Sequence, residues 1–168
     1  MPDIDALLPL TCHPATPAPV VRCIETRVAF RTDGDLVLSY CLRGDMARLL
    51  IPTEHAAERT DLLWEHTCFE AFISVSGRTG YREFNFSPSG QWASYAFSDY
   101  RQRESAPADD LAPQITARLF AGRLELDAIV AANSLPSNPE GAPWRIGLSA
   151  VVEAADTMDG NHSYWALH

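Results

Sequence analysis

Apolar and polar residues alternate with period two along most of the chain, the pattern of strands that bury one face. In the run 20–31, Ile24, Thr26, Val28 and Phe30 share one parity, while Glu25, Arg27 and Arg31 share the other. Thr-Asp-Gly-Asp at 32–35 is a turn signal. Leu36, Leu38, Tyr40 and Leu42 then alternate with Val37, Ser39, Cys41 and Arg43. Together these runs predict a hairpin. The runs 67–76, 81–88 and 91–100, separated by Gly-Arg-Thr-Gly and Ser-Pro-Ser-Gly, predict a meander. A second hairpin is expected over 115–130, a long strand from Trp144 and a last strand over 162–167.

Between these elements the pattern weakens. Residues 46–52 predict a short strand closed by Pro52, and residues 54–64 a helical turn or loop. Residues 101–113 and 133–143 are rich in polar residues and proline and read as loops. The first nineteen residues, with Pro14, Pro17 and Pro19, read as an extended lead-in to one domain over 20–168. About ten strands with regular turn signals and no βαβ alternation predict an all-β antiparallel β-sandwich.

Charge narrows the function. Twenty-two acidic residues stand against 13 basic ones, a net charge of −9. A nucleic-acid surface needs clustered basic residues, so the overall field opposes nucleic acid and anionic membranes. Every basic residue is Arg, which excludes a lysine nucleophile, a Schiff base and a P-loop lysine. Cys12, Cys23, Cys41 and Cys68 form no CxxC pair and read as reduced thiols. The first twenty residues lack a basic start and a long apolar run, so a cytoplasmic protein is expected. No nucleophile elbow, HExxH helix or phosphate loop is present, and a non-catalytic protein is expected.

The informative stretch is 63–101, with Trp64, Trp92, three Tyr, five Phe, Glu70, Arg82, Glu83 and Asn85. Aromatic rings beside carboxylate, guanidinium and amide groups suit sugar binding: the apolar sugar face stacks while the hydroxyls bond the polar groups. Glu70 lies mid-strand with Cys68 and Phe72 on its parity, so it needs a partner if buried. Arg82 on the next strand is the candidate. The pair then either pins two strands or walls a ligand pocket. At the other end of the chain, His162, Tyr164 and Trp165 fall on the last strand, and Trp64 with Trp165 would clamp a flat ligand.

These same segments, Leu-Trp-Glu-His-Thr-Cys-Phe-Glu-Ala-Phe, the run from Tyr81 to Arg101 and the closing Ser-Tyr-Trp-Ala-Leu, resemble the bacterial DOMON-like proteins. That group is related to the family 9 carbohydrate-binding modules and to cytochrome-type DOMON domains. The resemblance implies a jelly-roll-like sandwich and a sugar held between two Trp. It matches Trp64 and Glu70 to the first Trp and the Glu after it, Arg82 to an Arg on the following strand, and Trp165 to the closing Trp. His162 then stands where a polar amide is expected.

The resulting expectation is a carbohydrate-binding module whose ligand contacts are Trp64, Glu70, Arg82, Asn85, His162 and Trp165. Haem-binding relatives imply an alternative, a redox module with axial ligands drawn from Met46, Met158 and His162. A protein-interaction domain without a small ligand is the third reading. Calcium, bound by some relatives, has a possible source in Asp33 and Asp35, although that loop lacks a full ligand pattern.

Overall fold

The computed structural model describes residues 6–104, 111–155 and 161–167. Eleven strands lie among them: β1 (Leu8–Cys12), β2 (Val21–Phe30), β3 (Leu36–Gly44), β4 (Cys68–Val75), β5 (Tyr81–Phe86), β6 (Trp92–Asp99), β7 (Gln102–Arg103), β8 (Gln114–Leu119), β9 (Arg123–Val130), β10 (Trp144–Glu153) and β11 (His162–Ala166). All neighbours pair antiparallel, in the order β7-β6-β5-β4-β10-β11-β1-β2-β3-β9-β8. The ribbon folds over β1 into two packed layers, the all-β sandwich expected from the alternation.

β1 joins the layers by changing partner along its length. Leu8, Pro9 and Leu10 face Thr26, Glu25 and Ile24 of β2. Thr11 and Cys12 face Ala166 and Trp165 of β11. The extended lead-in expected before residue 20 therefore supplies a strand to the sheet. Proline donates no backbone hydrogen bond and is unusual inside a sheet, which hid this strand in the sequence.

The core lies between the layers. Ile24, Leu38, Leu42, Phe69, Ile73 and Phe86 are fully buried there. Burying each such side chain contributes roughly 1.5–3 kcal/mol. Tyr40 on β3 crosses the core, setting its ring 4.9 Å from that of Phe69 at a tilt of 37° and donating its hydroxyl to the Glu70 carbonyl at 2.9 Å. The short strand expected over 46–52 is instead a 3-10 turn over Met46–Arg48, followed by a single bridge from Leu49 to Ala154. Residues 54–62, expected as a helical turn or loop, run as a loop that ends in a 3-10 turn over Leu63–Glu65.

Candidate functional site

The two faces of the layer β6-β5-β4-β10-β11 follow from register. On the core face, Phe69, Ala71 and Ile73 of β4 oppose Phe86, Phe84 and Arg82 of β5. On the outer face, Glu70 opposes Asn85, Phe72 opposes Glu83, and Ser74 opposes Tyr81. β6 extends the outer face with Ala93, Tyr95 and Phe97, and β10 with Gly147, Ser149 and Val151. Gly147 leaves room for Phe72, whose Cβ would stand 3.7 Å from an added Cβ.

This outer face departs from the charged surface a sandwich ordinarily presents. Leu63, Cys68, Ala93, Tyr95 and Val151 form a second apolar cluster on it. Asn85 is fully buried, and Glu70 and Glu83 are half-buried. Ser149 donates to Glu70 Oε2 at 2.6 Å. Asn85, with its amide nitrogen turned toward Glu83, donates to Glu83 Oε1 at 3.3 Å and to the Phe84 carbonyl at 3.1 Å. Burial pushes the Glu70 carboxyl above the ordinary carboxylate range, and the Ser149 hydrogen bond offsets part of that. Burial and then the neighbouring Glu70 push Glu83 up to about 7, against the opposing pull of Asn85 and Arg103. The Arg103 guanidinium lies 4.0 Å from the centre of the Tyr95 ring.

Trp64 is brought to the same face by a loop with several anchors. Thr60 N–H donates to the Trp92 carbonyl at 2.8 Å. The Tyr95 hydroxyl donates to Asp61 Oδ1 at 2.7 Å. Leu62 takes a left-handed conformation, φ 64° and ψ 27°, and so tightens the chain into the 3-10 turn. That conformation costs a non-glycine residue on the order of 1 kcal/mol and persists where surrounding contacts hold it. His162 Nε2 lies 2.6 Å from the Glu65 carbonyl, tying the turn to β11, and His66 Nδ1 lies 3.0 Å from Glu153 Oε2 on β10. The Trp64 ring, 38% exposed, sits edge-on to Tyr95 with centroids 6.3 Å apart.

Of the six expected ligand contacts, Trp64, Glu70, Asn85 and His162 belong to this outer side. Arg82 and Trp165 do not. Arg82 shares the parity of Phe84 and Phe86 and faces the core side, its guanidinium 5.6 Å from the Phe84 ring centre. The expected Glu70–Arg82 pair is therefore not formed: the two side chains leave opposite faces of the layer. Trp165 pairs with Ala150, is 7% exposed in the core, and donates Nε1 to Ser163 Oγ at 2.9 Å. The expected Trp64–Trp165 clamp is excluded by the same opposition of faces. The aromatic residue on β11 that does share the outer side is Tyr164, opposite Val151 and half-exposed. Glu83, Tyr95 and Ser149 were not among the expected contacts. Parity with Asn85 was the available signal for Glu83; Tyr95 and Ser149 enter through register.

The alternative ligand sets fare less well. Met46 is buried in the core, whereas His162 is bonded to the Glu65 carbonyl on the outer side, so these two do not fit an axial pair for haem. Met158 lies outside the described residues. Asp33 Oδ1 accepts from the Asp35 amide at 3.0 Å and Asp35 Oδ1 from the Ala132 amide at 2.9 Å, so both carboxylates hold turn backbone. A separate cavity of about 500 Å³ opens between Phe30, Trp144, Ile146, Leu8 and Leu167. Its one amide side chain, Asn138, is bonded at both ends to Ala142, and the rest of the lining is mostly apolar. Among the described residues, no helix is long and apolar enough to cross a membrane.

No protein-family model matches the chain, and no curated protein matches it. Two solved structures are similar in fold. One is a Bacteroides uniformis protein that carries a provisional assignment to carbohydrate binding. It superposes with a TM-score of 0.66 at 16% identity, over 97% of this chain and 78% of that one. The other is a family 9 carbohydrate-binding module from Caldicellulosiruptor kristjanssonii, solved in complex with glucose. Its TM-score is 0.51 at 11% identity, over 94% of this chain and 74% of that one.

Proposed function

We propose that this protein is a non-catalytic carbohydrate-binding module and that the outer face of β6-β5-β4-β10 receives the sugar. The observation that carries this reading is Trp64, held half-exposed against Tyr95 beside a face of half-buried hydrogen-bonding groups. A pyranose has one apolar ring face and a rim of hydroxyls. Trp64 offers a surface for the first, and Glu70 and Glu83 offer partners for the second, with the buried Asn85 bracing Glu83. Tyr164 replaces Trp165 as the aromatic on the β11 side. His162 acts through Glu65, as a positioning residue for the turn that presents Trp64. The fold shared with a glucose-bound module supports the reading without fixing the contacts.

The test is a tryptophan-fluorescence titration against a panel of mono- and oligosaccharides, run in parallel on the Trp64→Ala variant. Saturable quenching or a blue shift with one sugar class, lost in the variant, is the expected result. A flat response across the panel overturns the proposal.

A further inference from the structure

We propose that the apolar cavity at the end of the sandwich is a second ligand site, separate from the outer face, and that it takes a small uncharged molecule built on hydrocarbon rings. The inference does not depend on the sugar-binding reading above.

The cavity opens where β2 ends and β10 begins. Val28 and Phe30 reach it from one layer. Trp144 and Ile146, which share the core parity of Leu148, reach it from the other. Leu8 and Leu167 complete the wall. Phe30 and Trp144 stack from layer to layer with centroids 6.0 Å apart and planes 26° from parallel. All of these side chains except Val28 are only partly buried, although they pack against the core. The core is thus open to solvent here through apolar groups, and covering them with an apolar ligand is favourable. The volume of about 500 Å³ falls within the roughly 300–1,000 Å³ of small-molecule pockets.

The polar groups along the wall decide the class of ligand. Among the described residues, no Asp, Glu or Arg side chain lines the cavity. A charged ligand would lose its water and meet no counter-charge. The Asn138 amide is engaged with Ala142 at 2.8 and 2.9 Å. The Pro143 carbonyl accepts from the Ser76 amide at 2.9 Å, and the Leu167 amide donates to the Leu148 carbonyl at 3.1 Å. A sugar would therefore bury hydroxyls without partners here, and a peptide segment its backbone amides. A hydrocarbon ring system needs no such partners and packs on the aromatic wall. The Trp144 indole N–H makes no hydrogen bond among the described residues and can meet a single acceptor on such a ligand.

The experiment titrates the full chain with two fluorescent probes of the same ring skeleton. N-phenyl-1-naphthylamine is uncharged; 1-anilinonaphthalene-8-sulfonate adds an anionic group. The neutral probe is expected to saturate at one molecule per chain, with an affinity at least about ten-fold above that of the sulfonate. Ala142→Trp fills the cavity from the loop that borders it, and Ile146→Gln places an unpaired amide in its wall. Each is expected to weaken the neutral probe by at least about ten-fold, with urea unfolding confirming that the variant is folded. Ala142 lies in a loop, so that variant keeps the test decisive if Ile146→Gln fails to fold. Absence of saturable binding, equal affinity for the sulfonate, or unchanged affinity in Ala142→Trp overturns the inference. Sedimentation velocity over the same concentrations supplies the remaining outcome: a dimer that Ala142→Trp dissociates assigns the cavity to a second copy of the chain and overturns the small-molecule site.

Discussion

The two outer faces of the sandwich obey the same alternation and are built from opposite chemistry. On the layer β2-β3-β9-β8, the outward positions hold exposed ion pairs. Arg118 reaches Glu125 at 3.1 Å and Asp127 at 2.8 Å, and Arg123 reaches Glu125 at 2.8 Å. These charges stay in water, where such pairs contribute little and cost little. On β6-β5-β4-β10 the outward positions hold Glu70, Glu83 and Asn85, half to fully buried among Tyr95, Phe72 and Val151. Acids placed so are held against their preference for water. A sandwich is stable with two faces of the first kind. On the reading proposed above, that second face is shaped by sugar binding.

The sharpest way to break the comparison is to damage the core face that both layers share. Phe69→Ala removes a fully buried ring packed against Tyr40 and should destabilise the fold by about 3–5 kcal/mol. Urea unfolding followed by circular dichroism gives the number; a loss below about 1 kcal/mol contradicts the packing described.

Next in size is Trp64→Ala. Sugar affinity should drop by more than about ten-fold, while stability changes by less than about 1 kcal/mol because the ring is partly solvated. The same urea curve and the sugar titration separate the two effects. A large stability loss with intact binding assigns Trp64 to structure alone.

Glu83→Gln tests the cost of the acidic face through pH. The folded state holds the Glu83 proton up to about pH 7, above the ordinary value of 4.5. The folded form thus binds more protons than the unfolded form between those values, and stability should decline as pH rises through that window. Allowing for the water that still reaches the side chain, the decline is on the order of 1–2 kcal/mol. The variant should flatten this decline in urea midpoints collected from pH 4.5 to 7.5. An unchanged slope would mean that other groups set it.

Arg118→Ala on the opposite layer should do least. Its ion pairs are exposed, so the urea midpoint should hold steady and the sugar titration should be unaltered. A clear drop in either would remove the distinction between the faces.

Parity made most of the fold legible. Nine of the eleven strands were foreseeable from period-two runs and turn residues. β1 was hidden by Pro9, and β7 has two residues, too few to form a pattern. The site was legible only in part, because alternation tells which residues share a face and not which strand lies opposite. Glu70 and Arg82 illustrate the gap. Arg82 already shared parity with Phe84 and Phe86, yet the register that sets those residues against Ile73, Ala71 and Phe69 is a property of the folded pair. Trp165 carries the larger ring, whereas its neighbour Tyr164 has the outward parity. Ser149 became visible only through the pairing of β10 with β4.

The divided pairing of β1 has a consequence for how the molecule assembles during synthesis. Its second half is held by β11, so that half waits for a strand far along the sequence. Closing so long a loop is slow relative to forming hairpins. The second half of β1 would thus stay unpaired until β11 is made, while its first half can already pair with β2. That open stretch is exposed to pairing with other chains until β11 covers it.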